Sequence, residues 1–280
     1  MSNAQVPILS AKSVTFGFPR RPEFLGPIDV DIRGGECWGI IGPNGAGKSS
    51  LLRLLAGLWT PASGVLEIKG RPLRTVAPRD RARQIGFLPQ QTPADLPATA
   101  REIVLMGRFP HRHFGLFDSA DDRRIADRAL AAMQAEPFAD RPMTTLSGGE
   151  AQRVHIAAVI AQQPAVLLLD EPTASLDLYH QLSIFTLLQD LIERDRLAVV
   201  VVTHDVNLAA RFCSRVLLLH DGHAVAAGPS ADVIRPEVLA AVHGVELGVA
   251  SSPFVPSGWI VPVRPLSGGS AAVRSEGGDA

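Results

Sequence analysis

Lysine is scarce in this sequence, since the 27 basic residues include only three lysines, at positions 12, 48 and 69. The 28 acidic residues bring the formal net charge to −1, which leaves no excess of positive charge for a nucleic-acid backbone. We therefore expect no nucleic acid among the partners. A lysine kept in such an arginine-rich chain is a candidate for a specific role, and Lys48 is the one that a motif surrounds.

Cysteine is also rare, and Cys37 and Cys213 lack the CxxC spacing of metal or redox sites. We expect both to be reduced packing residues. No apolar run approaches the ~20 residues that a bilayer-spanning helix needs. The first residues lack the basic and apolar segments of a secretory signal. The expectation is a cytosolic protein, unless a partner holds it at a membrane.

Short apolar runs separated by helical stretches recur at 37–41, 85–88, 166–169, 198–202 and 216–219. This alternation is typical of a mainly parallel sheet with helices on both faces. Alternating apolar and polar residues at 14–16, 28–32 and 65–68 instead predict antiparallel strands. The length of 280 residues suffices for one large α/β domain.

Between about residues 91 and 155, proline-interrupted helices replace the strand-like runs, including 99–106 and 121–135. We interpret this stretch as a helical subdomain inserted into the α/β core. Short helices are expected at 230–243. Residues 266–280 are small, polar and glycine-rich, which predicts a disordered tail after a domain at 8–265.

The strongest local motif fits the pattern GxxxxGK[ST] between the apolar run 37–41 and a helical stretch. It comprises Gly42, Pro43, Asn44, Gly45, Ala46, Gly47, Lys48, Ser49 and Ser50. Glycines let the backbone N–H groups wrap around phosphates, Lys48 would reach the β- and γ-phosphates, and Ser49 would ligate Mg²⁺. The alternative is a glycine-rich turn that matches by chance, which the flanking strand and helix disfavour.

A second motif is the apolar run 166–169 that ends in Asp170 and Glu171. Ligands of open α/β sheets bind at the carboxyl ends of the strands. Asp170 would hold Mg²⁺, directly or through water, and Glu171 would polarise the water that attacks the γ-phosphate. Taken alone, an apolar strand that ends in two acids is commonplace, so this interpretation depends on the phosphate loop.

Residues 146–153 make the assignment more specific, because they resemble the signature motif of the ABC ATPase family. The motif residues are Ser147, Gly148, Gly149 and Glu150, at a predicted helix start. The resemblance implies that this motif faces an ATP held by the opposite subunit, with Ser147 and Gly149 contacting its γ-phosphate. The simpler alternative, a helix with Ser147 as its N-cap, is compatible with that role.

Further motifs follow in the order that this family has, over residues 8 to 265. By resemblance, Gln90 is the Q-loop residue that senses Mg²⁺ and the attacking water, and His204 is the switch histidine at the γ-phosphate. Residues Ser175, Leu176 and Asp177 resemble the D-loop, which touches the partner subunit. Phe18 best matches the aromatic residue that stacks on adenine, although this family more often has tyrosine there.

The resemblance implies an α/β fold with a RecA-like P-loop NTPase core, an N-terminal antiparallel β subdomain and the inserted helical subdomain. It also implies ATP and Mg²⁺ as ligands and a head-to-tail homodimer with two ATP sites. Partners would be separate membrane permease subunits and, indirectly, a substrate-binding protein. The chain would then lie at the cytoplasmic face of the bacterial inner membrane.

Segments 99–111, 205–211 and 245–249 are similar to segments of the ATPases that serve importers of iron complexes, meaning siderophores and haem, and of cobalamin.

Three alternatives to this function remain at this point. The ATPase of another ABC transporter, a metal-ion importer or an exporter, would share the catalytic motifs. A non-transport ABC protein would carry long coiled coils or two cassettes, which the sequence lacks, and a small-molecule P-loop kinase would lack the signature motif.

Overall fold

The computed structural model describes residues 6–93, 96–112, 119–253, 255 and 258–266. The strands are β1 (Leu9–Phe18), β2 (Arg21–Ile32), β3 (Cys37–Ile41), β4 (Ser63–Ile68), β5 (Arg71–Pro72), β6 (Ile85–Leu88), β7 (Val166–Asp170), β8 (Ala198–Val202), β9 (Arg215–His220), β10 (His223–Pro229), β11 (Val245–Ala250) and β12 (Trp259–Pro265). The helices are α1 (Lys48–Leu55), α2 (Pro78–Ala82), α3 (Ala100–Met106), α4 (Ala120–Ala132), α5 (Gly148–Ala161), α6 (Leu178–Asp195), α7 (Val206–Phe212), α8 (Ser230–Val233) and α9 (Pro236–His243).

The central sheet has six strands in the order β10-β9-β3-β8-β7-β6. Its strands run parallel except β10, which pairs antiparallel with β9. Every residue of β3, β7 and β8 is buried, because both faces of these strands are covered. The continuous apolar runs of the sequence therefore coincide with the buried strands, as predicted, and the α/β fold class is confirmed.

A second sheet, antiparallel and ordered β2-β1-β4-β5, lies next to the first. Helix α1 packs with residues of both sheets in one apolar cluster, and its Leu51, Leu52, Leu54 and Leu55 are at most 1% exposed. The alternation in the sequence correctly predicted these antiparallel strands. The arrangement fixes the start of α1 between the two sheets, where the phosphate-loop motif lies.

Between residues 96 and 161, the described residues form α3, α4, α5 and short 3₁₀ turns, without a strand among them. Arg108 joins these helices although it is only 5% exposed. Its Nε donates to Asp122 Oδ1 at 2.9 Å, and its Nη1 donates to the carbonyl of Ala161 at 2.7 Å and to Gln163 Oε1 at 3.0 Å. One guanidinium thus links the end of α3, the start of α4 and the end of α5.

The C-terminal part contains the short helices α8 and α9, as predicted for 230–243, and the two-stranded sheet β11-β12. The predicted boundaries at 8, 91, 155 and 265 stay predictions. Of the predicted disordered tail, residues 267–280 lie outside the described residues. Among the residues that are described, no helix is both long and apolar enough to cross a membrane.

Cys37 and Cys213 are 176 residues apart in sequence, yet their Sγ atoms lie 3.6 Å apart. Both are free and buried, at 6% and 4% exposure. The hydrogen bond with Cys37 and burial raise the pKa of the Cys213 thiol, which disfavours the reactive thiolate. The pair fits the expected role of reduced packing residues.

Candidate nucleotide-binding site

The phosphate-loop motif connects β3 to α1, and two of its glycines have no room for a side chain. A Cβ on Gly42 would lie 2.1 Å from the carbonyl oxygen of Leu219, and one on Gly47 would lie 2.5 Å from Leu25 Cδ2. Gly47 also has a φ of +98° and precedes α1 without any side-chain cap. The first N–H groups of α1 therefore remain available to an anion.

The other loop residues divide between surface and interior. Asn44 and Gly45 are exposed, Pro43 and Ser49 are half-buried, and Ala46 and Ser50 are buried.

Lys48 lies inside this loop, with 5% of its surface exposed. Its Nζ donates to the carbonyl oxygens of Gly42 at 2.8 Å and Pro43 at 2.9 Å. Burial lowers the pKa of Lys48, against the opposing influence of Glu171 and Asp170. A buried cation surrounded by backbone carbonyls gains from an anion that compensates its lost hydration, and a phosphate of ATP would supply that charge.

Asp170 and Ser49 form the part of the site that fits a magnesium ion. Ser49 Oγ donates to Asp170 Oδ1 at 2.8 Å, while Asp170 Oδ2 is buried without a hydrogen-bond partner. Burial raises the pKa of Asp170, so the ionised carboxylate is costly unless a cation compensates it. Carboxylate and hydroxyl oxygens are ligands that Mg²⁺ accepts, usually together with water and phosphate oxygens.

Glu171 follows β7 and is held at both carboxylate oxygens. His204 Nε2 lies 2.5 Å from Glu171 Oε1, and Gln90 Nε2 donates to Glu171 Oε2 at 2.8 Å. These residues follow β6, β7 and β8, which are neighbours in the parallel sheet, so their carboxyl ends meet at one edge. The structure therefore brings the side chains of these three sequence-predicted residues into contact at one edge of the sheet.

The backbone of Glu171 is itself unusual, with a φ of +50°. This left-handed conformation costs roughly 1–3 kcal/mol for a residue other than glycine. The Glu171 N–H donates to the carbonyl of Val202 at 3.1 Å, which pins the residue across to β8. Only 10% of the Glu171 side chain is exposed, so its carboxylate is held in a largely enclosed position between His204 and Gln90.

Phe18, the predicted adenine contact, is 37% exposed and belongs to an aromatic cluster. Its ring lies 5.0 Å from Phe16, 5.1 Å from Phe24 and 5.7 Å from Trp59, measured between centroids. Phe16 is stacked on Trp59 and is half-buried, so its ring belongs to the packing of this cluster. The neighbours fix the Phe18 ring at the surface, where a base could stack on it.

The signature segment forms the start of α5. Ser147 is the N-cap, and its side chain forms a reciprocal capping box with Glu150. Ser147 and Gly148 are exposed, whereas Gly149 is buried against His180, to which a Cβ would approach within 2.3 Å. Both interpretations of Ser147, N-cap and anion contact, remain compatible with this geometry.

The predicted D-loop lies beside the signature segment. Asp177 is the N-cap of α6, and its Oδ1 accepts from His180 N at 2.9 Å. Gln181 was not among the predicted residues, yet its Nε2 donates to the carbonyls of Thr173 and Leu176 at 3.1 and 3.0 Å. A polar residue four positions after the N-cap, on the same helix face, was the only local signal for it.

The site residues fall into two groups. Lys48, Ser49, Gln90, Asp170, Glu171 and His204 converge at one edge of the central sheet, and the signature and D-loop residues lie together elsewhere. Within the described parts of the chain, no hydrogen bond or ion pair joins the signature segment to the phosphate loop. The described residues also contain no group of three or more His, Cys, Asp or Glu side chains that could hold a metal.

A family model described as ABC transporter matches residues 25–174. The hemin import ATP-binding protein HmuV of Nocardia farcinica is 43% identical over 86% of this chain and 82% of its own length. The ferric enterobactin transport ATP-binding protein FepC of Escherichia coli is 37% identical over 84% and 87%. The cobalamin import ATP-binding protein BtuD of Halobacterium salinarum is 37% identical over 91% of this chain, which spans 64% of that longer protein.

Solved structures give the same result. An inward-facing metal-chelate type ABC transporter superposes with a TM-score of 0.80 at 30% identity, covering 91% of this chain and 97% of the other. A dimeric ATP-binding cassette in a post-hydrolysis state, bound to ADP and phosphate, superposes with a TM-score of 0.69 at 33% identity, covering 79% and 98%.

Proposed function

The chain belongs to the ABC transporter family, and on that premise we propose that it hydrolyses ATP to drive import through a separate membrane permease. The observation that carries the proposal is the contact of Glu171 with both Gln90 and His204, beside the phosphate loop. Three strand ends and one loop thereby supply a base, its two orienting groups, a magnesium ligand and a cation.

In the proposed reaction, the loop and Lys48 would hold the phosphates of ATP, and Asp170 and Ser49 would hold Mg²⁺. Bound Mg²⁺ would offset the charge of the phosphate oxygens. Glu171 orients the attacking water and accepts its proton, while His204 and Gln90 keep the carboxylate in place. Glu171 must be held in one conformer, because the rate of hydrolysis depends on keeping the water in line with the γ-phosphate.

We propose that the working unit is a head-to-tail homodimer. Ser147 and Gly148 are exposed and lie apart from the phosphate loop, so one chain would complete the site of its partner. Leu178 and Tyr179, next to the D-loop, expose 67% and 72% of their surface, which fits burial in an interface. The ATP-binding cassette that resembles this chain at 33% identity is likewise dimeric.

The helical segment is the proposed contact with the permease. Met106 at the end of α3 and Phe109 after it expose 59% and 75% of their surface, and large exposed apolar side chains mark protein contacts. The proposed contact segment is 99–117, of which residues 113–117 lie outside the described residues. A substrate-binding protein would act indirectly, through the permease.

The proposed cargo is an iron complex, siderophore or haem, or else cobalamin, since relatives named for all three resemble the chain. The proposed location is the cytoplasmic face of a bacterial inner membrane, held there by the permease. Because cargo would not touch this chain, the choice among these ligands depends on the partner subunits.

The test is reconstitution with the permease in proteoliposomes, followed by uptake of haem, a ferric siderophore and cobalamin, each with and without Mg-ATP. We expect ATP-dependent accumulation of one of them and no uptake with Glu171→Gln. ATP hydrolysis without uptake of any, combined with efflux of a loaded compound, would indicate an exporter and overturn the proposed direction.

A further inference from the structure

The side chain of Asn207 in α7 binds the backbone of β12. Asn207 Nδ2 donates to the carbonyl of Ile260 at 3.1 Å, and the Ile260 N–H donates to Asn207 Oδ1 at 2.8 Å. One amide group thus makes the pair of hydrogen bonds that a neighbouring strand would otherwise make. Asn207 is half-buried and Ile260 is 5% exposed, so water competes poorly for either backbone group.

The same residue is close to His204 along the chain. Helix α7 begins after its N-cap Asp205, whose Oδ1 accepts from the N–H groups of Asn207 at 2.8 Å and Leu208 at 2.9 Å. The Asp205 N–H in turn donates to Thr203 Oγ1 at 3.1 Å. His204 lies between these two anchored residues, so a shift of the first turn of α7 must move its backbone.

From these contacts we propose that Asn207 is a positioning residue for ATP hydrolysis: it clamps α7 to β12 and thereby fixes His204 against Glu171. The proposal rests on the hydrolytic function proposed above. His204 is 43% exposed at its side chain, so little packing holds its ring, and its place depends on the backbone that carries it. The β11-β12 sheet is therefore part of the catalytic scaffold.

The C-terminal part is also electrostatically close to the site. Burial lowers the pKa of His243, at the end of α9, and the charges of Lys48, His220 and His204 lower it further. Helix α9 packs on β11, and β12 packs on α7. A displacement of the C-terminal part would therefore move residues near the expected position of the γ-phosphate.

The experiment compares steady-state and single-turnover ATP hydrolysis by the full-length wild type and by Asn207→Ala. We expect kcat to fall about threefold to tenfold with KM for ATP within about twofold, because nucleotide contacts are untouched while the geometry of the step is loosened. The matched control is Arg264→Ala, which removes an exposed ion pair with Glu246 on the same hairpin and leaves the clamp intact.

A second comparison separates positioning from general stability. If Asn207 acts through His204, the double variant His204→Ala/Asn207→Ala should hydrolyse ATP in a single turnover as slowly as His204→Ala alone. Where Asn207→Ala does not fold, Asn207→Asp replaces it, since it keeps the acceptor for the Ile260 N–H and loses the donor.

Three outcomes overturn the inference: a lower Tm with unchanged kcat, a raised KM with unchanged kcat, or an equal further loss in the His204→Ala background. A wild-type chain that does not hydrolyse ATP would instead refute the proposed function, and this inference with it.

Discussion

Replacing Glu171 by glutamine should separate nucleotide binding from hydrolysis. The carboxylate accepts at Oε1 from His204 and at Oε2 from Gln90, so the amide keeps the shape but offers only one accepting oxygen to two donors. It also cannot take a proton from water. Loss of a positioned general base slows a reaction by about 10²–10⁴-fold, which is about 2.7–5.5 kcal/mol in the barrier.

Binding of ATP should survive this change, because Lys48 and the loop backbone are untouched and one negative charge is removed near the phosphates. The uncleaved ATP should then hold the two subunits together. We expect size-exclusion chromatography with light scattering to show a monomer without nucleotide and a dimer with Mg-ATP. The wild type should hydrolyse ATP and should not accumulate the dimer.

Glu193→Gln, on the exposed face of α6, is the matched control and should behave as the wild type does. Two results would refute the reasoning. Residual hydrolysis above about a tenth of the wild-type rate would show that Glu171 is not the base. A variant that binds ATP and stays monomeric would show that closure needs the permease or that Ser147 is not the partner contact.

Three further predictions concern single positions of the site. Lys48→Ala should weaken ATP binding about 10–100-fold in equilibrium titration, because a charge-assisted contact is worth roughly 1.5–3 kcal/mol; unchanged affinity would contradict the assignment. Asp170→Asn should abolish Mg²⁺-dependent hydrolysis and yet raise Tm by a few degrees without Mg²⁺. Because burial raises the pKa of Asp170, the free energy of unfolding of the wild type should fall as pH rises through the folded-state pKa of this carboxyl. The variant should lack this pH dependence of Tm. Gly149→Ala should reduce ATP-dependent dimerisation, because its Cβ would meet His180 at 2.3 Å, and adding His180→Ala should restore it.

The sequence predicted much of this fold because buried parallel strands are apolar throughout, so β3, β7 and β8 were recognisable without any partner information. The meeting of Gln90 and Glu171 has a related reason. In a parallel sheet, whatever follows neighbouring strands comes to one edge, which brings Gln90 and Glu171 together although they are 81 residues apart.

Contacts between side chains of distant segments could not be predicted in this way. The hydrogen bonds from Asn207 to Ile260 depend on where the C-terminal strand packs, and no periodicity near either residue indicates it. The approach of Gly149 to His180 is likewise a product of tertiary packing. Phe18 is an intermediate case, since its strand was predicted but its three aromatic neighbours come from β1, β2 and the segment after α1.

The buried guanidinium of Arg108 has a mechanical consequence. Removing one partner of a buried ion pair typically costs about 3–5 kcal/mol, so separating α3, α4 and α5 at Arg108 would carry a free-energy cost of that order. The three helices should then move as one rigid body, with little change in their positions relative to one another. A displacement that ATP causes at one end of this body would then reach Phe109 at the other end.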